Sequence, residues 1–251
     1  MLTIDHLTKT YPGGKTAVRD LSLHVVPGDI YGFIGHNGAG KTTTIKAAVG
    51  LLEFEEGDIR INGVSIRQDP LTCKRTFAYI PDDPLLYPYL TGQQYLDFVA
   101  DVFEVARADR TQRTEELARR FGLTDVLGNL ISSYSHGMKQ KLAILGALVH
   151  APRLLILDEP FVGLDPEAVV TLKELMHELC RQGGAVFFST HVLDVAERLC
   201  NKVAIIRQGQ LVAAGETAAL TGGKTLEETF MEVVRHGETD NTAGNRPASE
   251  T

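Results

Sequence analysis

Gly35-His36-Asn37-Gly38-Ala39-Gly40-Lys41-Thr42 fits the pattern G-x-x-x-x-G-K-[ST] in full. Glycines at these places let the backbone wrap closely, so that successive N–H groups and the start of a following helix face an anionic phosphate. Lys41 can then reach the β- and γ-phosphates of a nucleotide, and the Thr42 hydroxyl can ligate Mg²⁺. The flanks agree, with an apolar strand from Ile30 to Ile34 before the loop and a helix-like run from Thr43 to Val49 after it. Further on, Leu154-Leu155-Ile156-Leu157-Asp158-Glu159 ends an apolar run on two carboxylates. Ligands of open α/β sheets bind at the carboxyl ends of strands, which places this pair beside the phosphate loop. Asp158 suits Mg²⁺, and Glu159 suits polarising an attacking water, work worth ~10²–10⁴-fold for a positioned base. The bland alternatives are a glycine-rich turn without a ligand and a solvated strand end. The complete motif weighs against the first, and the presence of the loop in the same chain against the second.

The elements that must hold these groups are legible in part. Leu21-Ser22-Leu23-His24-Val25 alternates as a strand with one buried face does, and Ile59-Arg60-Ile61, Asn62-Gly63 and Val64 to Ile66 read as a hairpin. Leu154 to Leu157, Ala185 to Phe188 and Val203 to Ile206 are apolar throughout, which predicts parallel strands covered by helices on both faces. Asp165-Pro166 reads as an N-cap and first helical residue, with Val169, Leu172, Leu175 and Leu179 on one face and Gly183 past the end. Between about Pro84 and His150 helical patterns dominate and no strand is clear, so this stretch reads as a helical insert. Residues 236–251 lack apolar periodicity and read as a disordered tail.

Composition narrows the function classes. The 251 residues suit one large α/β domain, and 43% apolar with 23% charged residues is ordinary for a packed soluble protein. A net charge of −7 with no long basic run argues against nucleic acid as a partner. No apolar stretch approaches the ~18 residues of a membrane span, and Met1 to His6 lacks the layout of a secretory signal. Cys73, Cys180 and Cys200 show neither disulfide nor zinc spacing, and the chain reads as cytosolic.

Tyr134-Ser135-His136-Gly137-Met138-Lys139-Gln140 narrows the field further, because it stands shortly before the acidic strand. It resembles the signature of ABC ATPases, usually written L-S-G-G-Q. Val162-Gly163-Leu164-Asp165 resembles the family's D-loop, Ser189-Thr190-His191 its switch histidine, and Tyr11 sits where the family stacks an aromatic on adenine. The resemblance covers residues 2–235 and implies one ABC ATPase domain over 1–235. Its implied fold is an α/β P-loop core with a mainly parallel sheet, an N-terminal antiparallel β subdomain and a helical subdomain at 84–150. The implied cofactors are ATP and Mg²⁺. ATP would be held by Tyr11, Gly35, Asn37, Gly38, Ala39, Gly40, Lys41, Thr42 and Thr43, and Mg²⁺ by Thr42, Asp158 and Asp82. Ser135 and Gly137, at a helix N-terminus, would bind the γ-phosphate of ATP held by a second subunit, so that ATP joins two head-to-tail protomers. Asp165 would join that composite site and carry signals across the interface, while Glu159 and His191 would serve catalysis.

Two departures stand out: His136 and Met138 replace signature residues, and Asp82 replaces the Q-loop glutamine in Ile80-Pro81-Asp82-Asp83-Pro84. An aspartate oxygen can still approach Mg²⁺, with a charge and a shorter reach. These departures and the run Leu85 to Gly92 resemble bacterial ABC exporters whose membrane subunits are separate chains. The expected partners are transmembrane permease subunits and a second ATPase subunit, identical or related, with no nucleic acid. The expected place is cytoplasmic, peripheral on the inner face of the cell membrane. Permease helices would dock near Asp82 and the run Tyr87 to Phe98; the alternative is that these residues fill the core of the helical insert. The competing function is a soluble ABC ATPase in cofactor or cluster assembly. A GTPase switch fails, since Asn201-Lys202-Val203-Ala204 lacks an acidic residue to read guanine.

Overall fold

The computed structural model describes residues 1–233, so the expected tail at 236–251 lies outside the described residues. The chain opens with β1 (Leu2–Thr10), β2 (Thr16–Val25), β3 (Ile30–Ile34) and α1 (Lys41–Ala48). Then come β4 (Glu56–Ile61), β5 (Val64–Ser65), α2 (Pro70–Lys74) and β6 (Phe77–Ile80). Three helices follow, α3 (Gly92–Val102), α4 (Arg107–Arg120) and α5 (His136–Val149). The rest comprises β7 (Leu154–Asp158), α6 (Pro166–Arg181), β8 (Ala185–Thr190), α7 (Leu193–Leu199), β9 (Lys202–Arg207), β10 (Gln210–Glu216) and α8 (Thr217–Thr221). A last helical stretch covers 226–233.

Four strands form an antiparallel sheet in the order β2-β1-β4-β5, and six form a second sheet, β10-β9-β3-β8-β7-β6. Within the second sheet only β10 runs antiparallel to its neighbour. Its central strands carry two cores at once, because successive side chains of a strand point to opposite faces. Ile30 and Ile34 of β3, Leu155 and Leu157 of β7, and Val186 and Phe188 of β8 pack with the helices α3 to α6. Their alternates Tyr31, Phe33, Leu154, Ile156, Ala185 and Phe187 pack with α1 and the antiparallel sheet. The continuous apolar runs in the sequence are the consequence of that double burial.

Between Pro84 and His150 the elements are helical, apart from a single bridge between Thr91 and Leu130. Thr91 and Gln94 form a reciprocal capping box that starts α3. Gly146 sits inside α5, where a Cβ would come within 2.8 Å of the Tyr95 ring of α3. The glycine costs helix propensity and lets the two helices approach. On α6 the expected buried face is corrected by one step. Ala168, Leu172 and Met176 form the buried i, i+4, i+8 row, while Val169, Leu175 and Leu179 flank it half-buried.

Candidate nucleotide site

The loop from Gly35 to Gly40 leaves the buried end of β3 and turns directly into α1. Gly40 has φ 113°, and a Cβ there would lie 2.6 Å from the Ala17 carbonyl, so no other residue fits without moving the neighbouring strand. Lys41 is buried, and its ammonium donates to the carbonyl of Gly35 at 2.7 Å and of His36 at 3.4 Å. Thr42 is exposed at the first turn of α1, where backbone amides lack helical partners. Tyr11 reaches the same helix start, its hydroxyl 3.3 Å from that of Thr43, with the Lys9 ammonium 5.7 Å from its ring centre. Tyr11 is 36% exposed.

The acidic strand end meets this loop. Asp158 is buried and accepts from the Ser189 hydroxyl at 2.5 Å, because β7 and β8 pair in a register that sets these two residues side by side. Glu159 leaves the strand with φ 49°, a left-handed conformation uncommon for a non-glycine and typical of strained functional positions. Its N–H donates to the Ser189 carbonyl and hydroxyl, which holds the turn. One carboxylate oxygen lies 3.0 Å from Nδ1 of His191, and the other 3.4 Å from the Lys41 ammonium. That second oxygen is buried without a hydrogen bond. Lys41, Asp158, Glu159 and His191 thus form one cluster at the carboxyl ends of three parallel strands, as expected for this sheet class.

Asp82 follows β6 at the same sheet end. Burial, together with the charges of Asp158, Glu159 and Asp83, raises its carboxyl above the usual range, and His136 opposes this. Carboxylates crowded in this way suit a cation. Among the described residues no group of three His, Cys, Asp or Glu could hold a metal by itself, so a Mg²⁺ ion here would need oxygen ligands from outside the protein, such as water or phosphate. The donor chemistry fits: Thr42 offers a hydroxyl and Asp158 and Asp82 offer carboxylates.

A second group lies on the same chain. Ser135 caps α5 by accepting from the Met138 N–H at 3.2 Å, so its hydroxyl and the free amides of the first turn share one place. That turn rests on the stretch after β7, since a Cβ on Gly137 would lie 3.0 Å from the Gly163 carbonyl and one on Gly163 2.7 Å from the His136 ring. Asp165 caps α6 through the Ala168 N–H at 2.9 Å and pairs with Lys141 of α5 at 2.5 Å. Lys141 and that N–H hold the Asp165 carboxyl below the usual range. No hydrogen bond or ion pair among the described residues joins Ser135, Gly137 or Asp165 to Lys41, Glu159 or His191.

Sequence reasoning did not assign Ser189 and Lys141 these roles. Both depend on tertiary pairing, the first on strand register and the second on how α5 docks beside α6. Asn201 has a structural task. It accepts from the Ile30 N–H at 2.7 Å and donates to buried Asp29, so the segment where a guanine reader was sought ties β9 to β3.

A phosphate loop on a central parallel strand, with a carboxylate pair and a histidine at the ends of its neighbours, defines a P-loop nucleotide hydrolase. Residues 18–162 match the protein family described as ABC transporter. The "ABC-type transporter ATP-binding protein EcsA" of Bacillus subtilis (strain 168) is 36% identical over 94% of this chain and 97% of its own length. The "Linearmycin resistance ATP-binding protein LnrL" of the same organism is 34% identical over 94% of this chain and 79% of its own. A solved structure titled "Structure of ATP binding subunit of ABC transporter" superposes with a TM-score of 0.90 at 37% identity, covering 93% of this chain and 99% of that one. The chain belongs to the ABC transporter family as an ATP-binding subunit, and it is an ATPase.

Proposed function

We propose that this subunit, as one ABC ATPase domain over residues 1–235, drives export through separate membrane chains and works as an ATP-joined dimer. Lys41 and the amides of residues 35–43 hold the phosphates, and Tyr11 stacks on the adenine. Thr42, Asp158 and Asp82 hold Mg²⁺, which when bound supplies positive charge to the phosphate oxygens. Glu159 accepts the proton of the attacking water, and His191 fixes the orientation of that carboxylate. Ser135 and Gly137, with the first turn of α5, bind the γ-phosphate of the nucleotide on a second subunit, and Asp165 lies at that junction. Hydrolysis removes these γ-phosphate contacts and lets the subunits part.

The observation that carries the catalytic reading is the contact of Glu159 with both Lys41 and His191, at 3.4 and 3.0 Å. Glu159→Gln keeps the shape and removes the base, so turnover should fall ~10²–10⁴-fold while ATP still binds. Gel filtration with ATP and Mg²⁺ should then give a dimer. A monomer with full turnover refutes the reading.

Docking to a membrane chain is supported by the surface. A groove of about 640 Å³ separates α1, α2 and β6 from α3 and α5, and its walls include Val49, Ile80, Leu86, Tyr95 and Val99. Around it Leu51, Leu71, Leu85, Tyr87, Tyr89 and Phe98 are exposed, from 46% for Phe98 to 91% for Leu85. The run from Tyr87 to Phe98 therefore divides, with Leu96 inside the core and Tyr87, Tyr89 and Phe98 outside it. An apolar patch of this kind marks a protein contact. No helix among the described residues is long and apolar enough to cross a membrane, and we place the subunit on the cytoplasmic face of the cell membrane through this groove. Export as the direction rests on the resemblance to exporter subunits.

A further inference from the structure

We propose that Phe230, in the last helical stretch, is a positioning residue for ATP: its ring, set against His36, holds the tip of the phosphate loop in the shape that receives the phosphates. The inference rests on the reading of Gly35 to Thr42 as the phosphate loop and adds the means by which a distant part of the chain governs it. The two ring centroids are 5.0 Å apart with planes at 74°, an edge-to-face arrangement. His36 is exposed, whereas Phe230 is buried. The stretch that carries Phe230 is firmly set. Thr225 and Glu228 form a reciprocal capping box at its start, and the Leu226 N–H donates to the Glu197 carboxylate of α7 at 2.7 Å. Leu226 itself is fully buried.

Three of the six residues from Gly35 to Gly40 are glycines, so the loop has much conformational freedom to lose when it closes on a phosphate. Both ends of the loop are fixed by backbone. A Cβ on Gly35 would come within 2.5 Å of the Ile206 carbonyl, and Gly40 lies equally close under Ala17. The Gly209 N–H, at the turn between β9 and β10, donates to the Ala39 carbonyl at 2.8 Å. The tip, from His36 to Gly38, is exposed and held differently. There the His36 carbonyl accepts from the Ala39 N–H at 3.1 Å, within the loop, and from the Lys41 ammonium at 3.4 Å. Lys41 is also the group assigned to the β- and γ-phosphates, so it cannot serve both in full. The contact of His36 with Phe230 does not depend on that exchange. Core packing accounts for the burial of Phe230, and another apolar side chain of similar size would meet it. It does not account for an exposed loop ring that meets Phe230 edge to face. A loop already held near its bound shape loses less entropy on binding, which raises affinity without touching the chemical step.

The test uses the full chain. His36→Ala and Phe230→Leu each delete one ring, the double variant deletes both, and His36→Phe keeps a ring on the loop. For each protein, equilibrium titration with adenylyl imidodiphosphate gives the affinity, steady-state ATPase assays give KM and kcat, and thermal unfolding confirms the fold. The expected result is that His36→Ala and Phe230→Leu weaken binding and raise KM about two- to tenfold, with kcat changed far less. The double variant should be no worse than either single one, and His36→Phe should stay close to wild type. A merely structural role of Phe230 would produce neither the shared effect nor the rescue. Wild-type affinity in Phe230→Leu, or effects that multiply in the double variant, would overturn the proposal. Should Phe230→Leu not fold, the exposed His36 still decides: weakening in His36→Ala alone supports the ring contact, and equal weakening in His36→Phe refutes it. Lys41→Ala separates this inference from its foundation. Nucleotide binding retained in Lys41→Ala would mean that the reading of the loop itself has failed. Binding lost there but unchanged in the His36 and Phe230 variants would refute the role of Phe230 alone.

Discussion

The burial of His150 should make this subunit acid-sensitive. The ring ends α5 and stacks on Phe103 with centroids 3.7 Å apart and planes 9° apart. Both ring nitrogens are buried without a well-formed hydrogen bond. Burial pulls its pKa from 6.5 down to about 4, against smaller opposing effects of the Phe77 and Gly146 backbone, and Arg113 lowers it further. A base with a depressed pKa binds its proton more readily in the unfolded chain. Its contribution is therefore complete above pH 6.5 and is lost as pH falls from there towards 4. The two values give a loss of about 2 kcal/mol at pH 5 and about 3 kcal/mol once pH is below 4. At pH 5 the folded ring is still mostly neutral, so a cation–π gain over the Phe103 face changes little and the loss stays about 2 kcal/mol. Urea unfolding followed by circular dichroism at pH 7 and pH 5 reads this as a midpoint shift of roughly 0.5–1 M. His150→Phe keeps the stack and has no proton to gain, so it should lose less stability than wild type over the same interval; subtracting the two proteins removes the shared titration of other groups. His150→Asn is the alternative if the phenylalanine packs badly. Equal losses in wild type and variant would show that His150 does not titrate as argued.

Other predictions concern the site. Lys41→Ala should abolish productive ATP binding in a titration with labelled nucleotide, and retained ATPase activity would remove the loop from its assigned role. Asp82→Asn should raise the free Mg²⁺ needed for half-maximal turnover several-fold, whereas an unchanged Mg²⁺ profile would exclude Asp82 from the metal shell. Asp165→Ala removes a helix cap and the Lys141 pair, and should cost about 1–2 kcal/mol of stability by urea unfolding. Asp165→Asn retains the cap and should cost less; if it costs as much, the ion pair outweighs the cap.

The strands buried on both faces were readable because double burial leaves no polar positions to confuse the pattern. Strands that break phase were not. In β1 both Ile4 and Leu7 are buried, three residues apart, because the pairing with β2 slips between them and His6 adopts φ 51°. A period of two cannot be read across such a bulge. β10 alternates between half-buried and exposed residues, with no fully buried side chain to signal it, and β6 has four residues before Pro81. On α6 the buried row begins with Ala168, whose small side chain carries little hydrophobic signal. The phosphate loop was legible in full because its parts are contiguous, so local backbone chemistry dictates the residue types.

What linear motifs could not reveal is how the two functional groups are connected. Glu159 and Asp165 bound one short segment between β7 and α6. At its first end Glu159 is pinned by Ser189, His191 and Lys41. At its second end Asp165 is pinned by Lys141 and by its own helix cap. Between them Gly163, at φ 78°, lies under the His136 ring and against Gly137. Residues 160–164 thus link the two anchored ends and touch the start of α5 on the way. The residues proposed for water activation and those proposed for the second subunit's nucleotide therefore bound one short segment of the chain, packed at its middle against the start of α5.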